Sequence, residues 1–368
     1  MYLENINLLN FKNYEELSLN FSKQVNFFTG PNGSGKTNLL DAIYYLSLSK
    51  SAFSSNDAQN IRTGAEFFML GGNFIKEGRT DLIQASFTKG QKKILKVNKN
   101  PYEKLSEHIG EFPAVLIAPN DTDIIREGSE FRRKFFDGIL SQLSHAYLNE
   151  LIRYNQLLKQ RNSLLKQFSE RNQVDEDLIE TFDAQLIVSA KFIYAERRKF
   201  LEDFIPVFTR HYHNLSEKKE ETSLSYVSRL EDPDFANEYR KALRRDILLQ
   251  RTTHGIHRDD FIFKIGEHPL KSYGSQGQQK SFVIALKLAQ FDIIRKQKGF
   301  KPLLLLDDIF DKLDEHRISK LMEMVAGDSF GQLFITDARA DRSEELFGMI
   351  ESEIKIWKVE KGQVAEIL

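Results

Sequence analysis

The chain contains no cysteine, which excludes disulfides, thiolate metal sites and thiol nucleophiles. Neither sign of charge is in excess, since 52 lysine and arginine residues stand against 53 acidic residues. No overall positive field therefore draws the chain to nucleic acid, and any such contact must come from local patches. Apolar runs long enough for a membrane span are missing, as are the basic start and apolar core of a signal peptide. These absences predict a cytoplasmic protein without a membrane partner.

The most informative stretch is a short apolar strand, residues 24–29, that runs directly into a glycine-rich loop. The loop reads Gly30-Pro31-Asn32-Gly33-Ser34-Gly35-Lys36-Thr37. This is the G-x-x-x-x-G-K-T pattern of a phosphate-binding loop, and the apolar spacing after it predicts a helix.

Each part of that pattern has a chemical reason. The glycines let backbone N–H groups curl around phosphates, Lys36 supplies a charge to the β and γ phosphates, and the Thr37 hydroxyl can join a Mg²⁺ shell. The dipole of the following helix adds to the anion site. The sequence therefore predicts that ATP binds here with Mg²⁺.

A second apolar strand, residues 303–306, ends in Asp307 and Asp308. Wholly apolar strands are typical of buried parallel sheets, whose carboxyl ends hold ligands. Asp307 is the expected partner of the Mg²⁺ held by Thr37, and Asp308 could orient or deprotonate the attacking water. We predict Lys36, Asp307 and Asp308 as the catalytic residues.

Between the two half-sites lies Ser275-Gln276-Gly277-Gln278, directly before an apolar helix at residues 281–294. A hydroxyl, a glycine and a glutamine at a helix start form an anion-binding geometry, although the same residues could simply cap the helix. The order of phosphate loop, Ser-x-Gly-Gln and Asp-Asp strand is that of the ABC-type ATPases. In that order Asp314 stands at the D-loop position, and Thr336 stands at the switch position after a further strand.

The periodicity changes along the chain. The first twenty residues are predicted to form a hairpin, whereas residues 121–244 are predicted to be helical, with two apolar stripes packing one helix on another. The first stripe is Tyr147, Leu151, Tyr154, Leu158 and Leu165, interrupted by Arg161; the second is Leu178, Phe182, Leu186 and Ile193. The expected fold is an α/β ABC-type P-loop ATPase head, residues 1–120 and 245–368. A helical lobe, residues 121–244, is inserted between the two halves of its ATP site.

Three basic clusters interrupt the balanced charge. Lysines at positions 89, 92, 93, 96, 99 and 104 surround a predicted strand, where we expect a charged strand edge, with a nucleic-acid face as the alternative. The other two clusters, residues 132–134 and 197–199, lie in the helical segment. We expect them to be solvated helix faces rather than phosphate contacts.

Nearly end to end, the chain resembles the RecF family of bacterial recombination mediators, in the SMC-like branch of the ABC ATPases. The most particular motifs are Asn10-Phe11-Lys12-Asn13-Tyr14, Arg132-Arg133-Lys134-Phe135-Phe136-Asp137, Gln160-Arg161-Asn162 and His257-Arg258-Asp259-Asp260. One departure is Lys50-Ser51-Ala52-Phe53, where the family pattern has Lys-Ser-His-Arg. A phosphate or DNA contact by that arginine has no counterpart in this chain.

The resemblance implies an ATP-dependent homodimer in which Ser275 and Gly277 of one subunit cap the ATP on the loop of the other. Slow, DNA-stimulated hydrolysis would then act as a switch that releases the interface, and Lys12 would reach the nucleotide phosphates. The resemblance also implies binding to gapped DNA and to duplex to single-strand junctions. RecR, RecO and RecA are the implied partners, in DNA replication, recombinational gap repair and the SOS response.

Three other functions compete with this one. The ATPase subunit of a membrane transporter is the main alternative, and another SMC-like ATPase is the second. The long helical insertion, and Thr336 in the place of the transporters' switch histidine, argue against a transporter. A small-molecule kinase could use the same phosphate loop, but residues 275–279 would then have no role.

Overall fold

The structure is a computed structural model that describes residues 1–216, 220–309, 319–320, 323, 330–339 and 353–368. The strands are β1 Tyr2–Phe11, β2 Tyr14–Asn20, β3 Val25–Thr29, β4 Phe67–Lys76, β5 Arg79–Thr88, β6 Ile94–Val97, β7 Asn100–Pro101, β8 Ala114–Ile117, β9 Thr222–Val227, β10 Asp260–Ile265, β11 His268–Pro269, β12 Leu303–Asp307, β13 Leu333–Asp337, β14 Ile354–Glu360 and β15 Gln363–Glu366. The helices are α1 Lys36–Leu48, α2 Asp123–Arg126, α3 Ser129–Leu143, α4 His145–Arg171, α5 Glu176–Ser216, α6 Phe235–Lys241, α7 Leu243–Leu249, α8 Leu270–Tyr273 and α9 Gln276–Lys298. Within these described ranges, no helix combines the length and the apolar character that crossing a membrane requires.

A six-stranded sheet at the centre, in the order β15-β14-β3-β13-β12-β8, positions the residues predicted to bind ATP. Its strands from β14 to β8 run parallel, and β15 is antiparallel at one edge. Strands β3, β8, β12 and β13 are buried along their whole length. Because both faces are covered, these strands are apolar without the alternation of a half-exposed strand.

Alternate residues of this sheet face two different cores. Leu304 and Leu306 join the core that contains α9 and the long helices, whereas Leu303 and Leu305 join the core that contains α1 and the first sheet. All four leucines are fully buried. Each contributes about 2 kcal/mol by leaving water, so β12 is held firmly between the two cores.

The first sheet is antiparallel, in the order β2-β1-β4-β5-β6-β7, and packs against α1. The predicted hairpin is confirmed: β1 and β2 pair from Asn5 opposite Asn20 to Phe11 opposite Tyr14. Its turn contains Lys12 with φ 52°, a left-handed conformation. This turn approaches the phosphate loop, as the hydrogen bonds described below show.

The prediction of helix throughout residues 121–244 is wrong at one place. Strand β9 lies inside this segment and pairs antiparallel with β10, from Val227 opposite Asp260 to Thr222 opposite Ile265. In β9 the side chain of Leu224 is buried between two exposed serines, which is the alternation of a half-buried strand. The backbone groups of β9 are hydrogen-bonded to β10, so this part of the segment is a strand and not a helix. The inserted segment is therefore tied to the chain on its C-terminal side.

Helices α4 and α5 pack together along most of the two predicted stripes, but Leu178 is wrongly included, because it is 39% exposed while its neighbour Ile179 is buried. The residue that interrupts the first stripe is itself buried. Arg161 is 0% exposed. Its guanidinium donates hydrogen bonds to Asp183 on α5 at 2.5 Å, to Asp246 on α7 at 2.7 Å and to Thr252 at 2.8 Å. The arginine thus joins two helices and a loop through charges that have no access to water.

Removing this arginine is expected to destabilise the fold strongly. Arg161→Met leaves two buried carboxylates without a cation, and breaking a buried pair in this way costs about 3–5 kcal/mol in free energy of unfolding. Burial already raises the pKa of Asp183. Without the guanidinium the pKa of Asp183 rises further. The variant's loss of free energy of unfolding should therefore be smaller near pH 5 than near pH 8, because a protonated carboxyl tolerates burial. Urea denaturation at the two pH values measures both effects.

Lys159→Met, on the exposed side of the same helix, is the matched control and should change the free energy of unfolding by less than about 0.5 kcal/mol. If Arg161→Met and Lys159→Met were equally stable, the buried network would contribute nothing to the lobe.

Candidate nucleotide-binding site

The glycine-rich loop leaves the central sheet at the end of β3 and enters α1 at Lys36. Lys36 is 4% exposed, and its ammonium donates hydrogen bonds to the carbonyl oxygens of Gly30 at 2.8 Å and Pro31 at 3.3 Å. The buried hydroxyl of Ser34 has no hydrogen-bond partner among the described residues. A cation inside a ring of backbone groups, next to an unsatisfied hydroxyl, suits a loop that binds phosphate oxygens.

Two neighbouring hairpins hold the loop in shape. From the β1–β2 turn, the Asn13 amide donates to the carbonyl of Ser34 at 3.2 Å, and the Tyr14 hydroxyl donates to the carbonyl of Gly35 at 3.0 Å. From the β14–β15 turn, the backbone N–H of Gly362 donates to the same carbonyl of Ser34 at 3.1 Å. Sequence reasoning did not assign this role to Asn13 and Tyr14, although both belong to a motif that carries the family resemblance.

The first glycine of the loop is required by close packing. A Cβ atom on Gly30 would lie 2.1 Å from the carbonyl oxygen of Val359 on β14, and the φ of Gly30 is +154°. Any side chain at this position would push the loop away from β14. Gly33, with φ +78°, has open space where its Cβ would be, so there only the backbone conformation favours glycine.

Asp307 is held at the end of β12 by two threonine hydroxyls. Thr37 donates to it at 2.8 Å, and Thr336, on the adjacent strand β13, donates at 2.9 Å. Burial raises the pKa of Asp307, and the two hydroxyl hydrogen bonds act in the opposite direction. The predicted metal ligands Thr37 and Asp307 are therefore in direct contact. Their hydroxyl and carboxylate oxygens are the ligand type that Mg²⁺ prefers, so these residues fit the ion.

Asp308 has a left-handed backbone, with φ 41°, which is uncommon for a residue other than glycine. Its backbone N–H donates to the hydroxyl of Thr336 at 3.0 Å. Asp308 lines a cavity of about 290 Å³ together with Asn32 and Gly33 of the phosphate loop and Lys280 of α9. Thr336, predicted as the switch residue, thus contacts both aspartates, and the cavity beside Asp308 opens onto the phosphate loop.

Lys12 does not point to the loop in this structure. Its ammonium forms an ion pair with the buried carboxylate of Asp41 on α1 at 2.6 Å and lies 5.5 Å from the ring centre of Phe53. Asp41 also accepts hydrogen bonds from the Ser51 hydroxyl and the Ala52 backbone N–H, both at 2.7 Å. The expected contact of Lys12 with the nucleotide phosphates remains a prediction. The residues that depart from the family pattern, Ala52 and Phe53, pack around this ion pair.

The predicted signature residues form the start of α9. Ser275 and Gln278 form a capping box, in which the serine hydroxyl accepts from the backbone N–H of Gln278 at 3.2 Å and the glutamine side chain accepts from the N–H of Ser275 at 2.8 Å. Ser275 and Gln276 are exposed, and Gly277 is partly exposed. The Gln278 amide also donates to Glu220 at 2.8 Å. These residues cap the helix and are also accessible to solvent. Helix capping and the predicted binding of an anion are therefore compatible. Asp314, the predicted D-loop residue, lies outside the described residues.

The expectation of solvated helix faces is wrong for three members of the two arginine-containing clusters and holds for the other three, which are exposed. Arg132 makes a two-pronged contact with Asp260, at 2.7 and 3.0 Å, and Arg133 donates to the backbone carbonyl of Asp259. Arg197 is 1% exposed and pairs with the Asp259 carboxylate at 3.3 Å. Two motifs of the family resemblance therefore meet in one network, which the spacing of the charges along the chain does not reveal.

The lysines around β6 are mostly at the sheet margin, as expected for a charged strand edge. Lys93 is the exception, since it pairs with Asp57 at 3.1 Å and donates to the carbonyl of Ser49 at 2.6 Å. The lysines at positions 89, 92, 99 and 104 are exposed. Strand β7, which has two residues, forms the outer edge beyond β6.

The parallel sheet, the phosphate loop at the end of β3 and the aspartate pair at the end of β12 define a P-loop ATPase head. The antiparallel sheet packed beside α1 and the serine-capped helix α9 make it a head of the ABC type.

Comparison with known proteins places this head in a family. The family described as the RecF/RecN/SMC N terminal domain matches residues 2–364. A DNA replication and repair protein RecF of Cytophaga hutchinsonii is 48% identical over 366 residues, covering 100% of this chain and 97% of that protein. Its counterpart in Flavobacterium johnsoniae is 46% identical over 359 residues, covering 98% of this chain and 100% of that protein.

A solved structure of the recombination mediator protein RecF with ATP, in the RecFOR pathway, superposes with a TM-score of 0.90 at 30% identity, covering 100% of this chain and 98% of that one. The chain belongs to the RecF family of SMC-like ABC ATPases.

Proposed function

We propose that this protein is an ATPase switch whose nucleotide site is completed by a second copy of the same chain. The proposal rests on one observation: the residues predicted to bind ATP lie in two separate places on the chain. The phosphate loop and the aspartate pair meet at one edge of the central sheet, whereas Ser275 and Gln276 are exposed at the start of α9. Ser275 is not among the residues that line the cavity beside Asp308. A two-fold dimer brings each such surface to the phosphate loop of the other subunit.

In this proposal the residues of one chain have separate roles. The loop residues 30–37 cradle the triphosphate, with the ammonium of Lys36 moving from its loop carbonyls to the β and γ phosphate oxygens. Thr37 and Asp307 would hold Mg²⁺, and the bound ion would supply positive charge against the negative charge of the phosphates. Asp308 orients and deprotonates the attacking water in the cavity that it lines with the phosphate loop.

Thr336 connects these steps to the rest of the fold. Its hydroxyl donates to the carboxylate of Asp307 and accepts from the backbone N–H of Asp308, so it links the two positions through one side chain. Asp314 would extend the site toward the partner, and Lys12 would reach the phosphates once released from Asp41. Residues 1–120 and 245–368 would act as the head, and residues 121–244 as the lobe that moves with it.

We propose further that closure of this dimer clasps DNA in the cytoplasm, as part of DNA replication, recombinational gap repair and the SOS response. The high identity to proteins named DNA replication and repair protein RecF supports this role. The relative solved with ATP is described as a recombination mediator in the RecFOR pathway. Gapped duplex and duplex to single-strand junctions are the proposed DNA, and RecR and RecO are the proposed partners in loading RecA. Hydrolysis is proposed to be slow and stimulated by DNA, so that ATP sets how long the dimer stays closed.

The dimer proposal predicts opposite effects for two variants. Lys36→Ala removes the cation that binds phosphate, so ATP should no longer shift the protein from monomer to dimer. Asp308→Asn keeps the shape of the side chain and tolerates the left-handed backbone of this position, but it removes the base. It should bind ATP and remain dimeric for longer than the wild type. Sedimentation velocity with and without ATP measures both effects.

Asn172→Asp, at another left-handed position far from the site in sequence, serves as the control for exchanging Asp and Asn. A mass that responds identically to ATP in wild type, Lys36→Ala and Asp308→Asn would contradict the switch.

The DNA proposal predicts that affinity for gapped duplex rises with ATP and falls steeply with salt. The net charge of the chain is −1, so binding must come from local phosphate contacts that release counterions. With about four to six such contacts on duplex DNA, affinity should fall roughly 150-fold or more between 50 and 200 mM salt. Fluorescence anisotropy measures the affinity, with and without ATP and across this salt range, on gapped, fully duplex and single-stranded DNA of equal length. Equal, salt-independent affinity for all three would refute DNA recognition while leaving the ATPase role intact.

A further inference from the structure

A cleft of about 680 Å³ lies between the C-terminal end of α1 and the paired helices α3 and α4. No residue of the phosphate loop and neither Asp307 nor Asp308 lines it, so it is separate from the candidate nucleotide site. Its walls come from five parts of the chain: the end of α1 with Lys93 beside it, the segment around Leu105 to Ile109, the helices α3 and α4, the segment from Asp121 to Ile124, and α9 through Lys287 and Gln290. Its volume is within the range of about 300–1,000 Å³ that is usual for binding pockets.

The helical wall of the cleft is strongly apolar. Phe131 on α3 and Ile152 on α4 both line the cleft and are 41% and 40% exposed. Phe135, Leu148 and Leu151, which are partly buried, also line it. Large apolar side chains that stay accessible inside a concave surface mark a place where another apolar group is buried.

The cleft also carries positive charge, because four lysines contribute to its lining. Three of them have acidic partners: Lys93 with Asp57 at 3.1 Å, Lys134 with Glu130 at 2.7 Å and Lys287 with Asp121 at 2.8 Å. The fourth, Lys50, forms no ion pair with any residue that the structure describes.

The acidic residues that line the cleft do not compensate Lys50. Asp121 is occupied by Lys287 at 2.8 Å. Asp137 is occupied by Arg197 at 2.9 Å and accepts the hydroxyl of Tyr147 at 2.6 Å. The surroundings of Lys50, through desolvation and the nearby ammonium groups of Lys134 and Lys93, lower its pKa. The cleft is therefore short of negative charge beside an apolar wall.

We infer that this cleft docks a segment of a partner protein in which carboxylates alternate with large apolar side chains. The apolar side chains of the segment pack on Phe131 and Ile152, and a carboxylate pairs with Lys50. A nucleic acid backbone would satisfy the lysine, but it offers no aliphatic group for the wall of α3 and α4. The combination of an apolar wall with one uncompensated cation favours an acidic, apolar peptide over a phosphate chain.

The experiment uses the full chain without nucleotide, so that its result does not depend on the ATP site. The probe is a fluorescein-labelled peptide that alternates acidic residues with leucine and phenylalanine. One control peptide replaces the apolar residues with serine, and a second replaces the acids with glutamine. An oligothymidylate of equal charge reports on nucleic acid. Anisotropy gives the dissociation constant for each.

The acidic, apolar peptide is expected to bind about tenfold more tightly than either control peptide, because each control lacks one half of the complementarity. Lys50→Glu should weaken the peptide about tenfold, and Ile152→Asp should weaken it similarly through the apolar wall. Lys89→Glu makes the same charge change at an exposed lysine that does not line the cleft, and it should leave the affinity unchanged. Equal melting temperatures of the variants show that folding is preserved.

Two results would overturn the inference. Peptide binding that is insensitive to both Lys50→Glu and Ile152→Asp would place any docking elsewhere. Binding of the oligothymidylate that depends on Lys50, with no binding of the acidic, apolar peptide, would make the cleft a nucleic-acid surface.

Discussion

The fold depends on a parallel sheet that is buried on both faces. Strands β3, β12 and β13 lie between two apolar cores, so their carboxyl ends come to one edge with little freedom to shift. At that edge Thr37 contacts Asp307, although they are far apart in the sequence. The geometry of the candidate site is thus set by the packing of apolar residues in the two cores.

A second constraint is electrostatic and lies in the helical segment. Arg161 and Arg197 are among the most deeply buried side chains of the described residues, and each is surrounded by carboxylates from different elements. Such networks fix relative positions because an arrangement that separates the charges leaves them desolvated and unpaired. Arg197 binds Asp259, just before β10, and Arg132 binds Asp260, the first residue of β10, which is the strand that also pairs with β9. The inserted segment is therefore joined to β10 by a buried ion pair and by the β9–β10 ladder.

The phosphate loop, the strand ending in Asp307 and Asp308, and the hairpin at the start could be predicted because each is a local pattern with a single dominant period or spacing. The arginine clusters could not, because their partners are distant in sequence: Arg132 binds Asp260, and Arg161 binds Asp183 and Asp246. A basic run looks the same in sequence whether it faces water or a buried carboxylate. Strand β9 was missed for a related reason, since its stability comes from β10 and not from its own six residues. Lys12 shows the same limit, because its ion pair with Asp41 depends on a turn that brings β1 next to α1.

The central claim is that neither chain alone contains a complete ATP site. It is tested most directly by mixing two inactive variants, Lys36→Ala, which cannot bind phosphate, and Ser275→Arg, which cannot cap the partner's nucleotide. In a mixed dimer the intact phosphate loop of the Ser275→Arg chain meets the intact signature of the Lys36→Ala chain, so one complete site is restored. Steady-state ATPase activity should therefore reappear in the mixture, in proportion to the mixed dimer. A mixture no more active than the two variants measured separately would contradict the account.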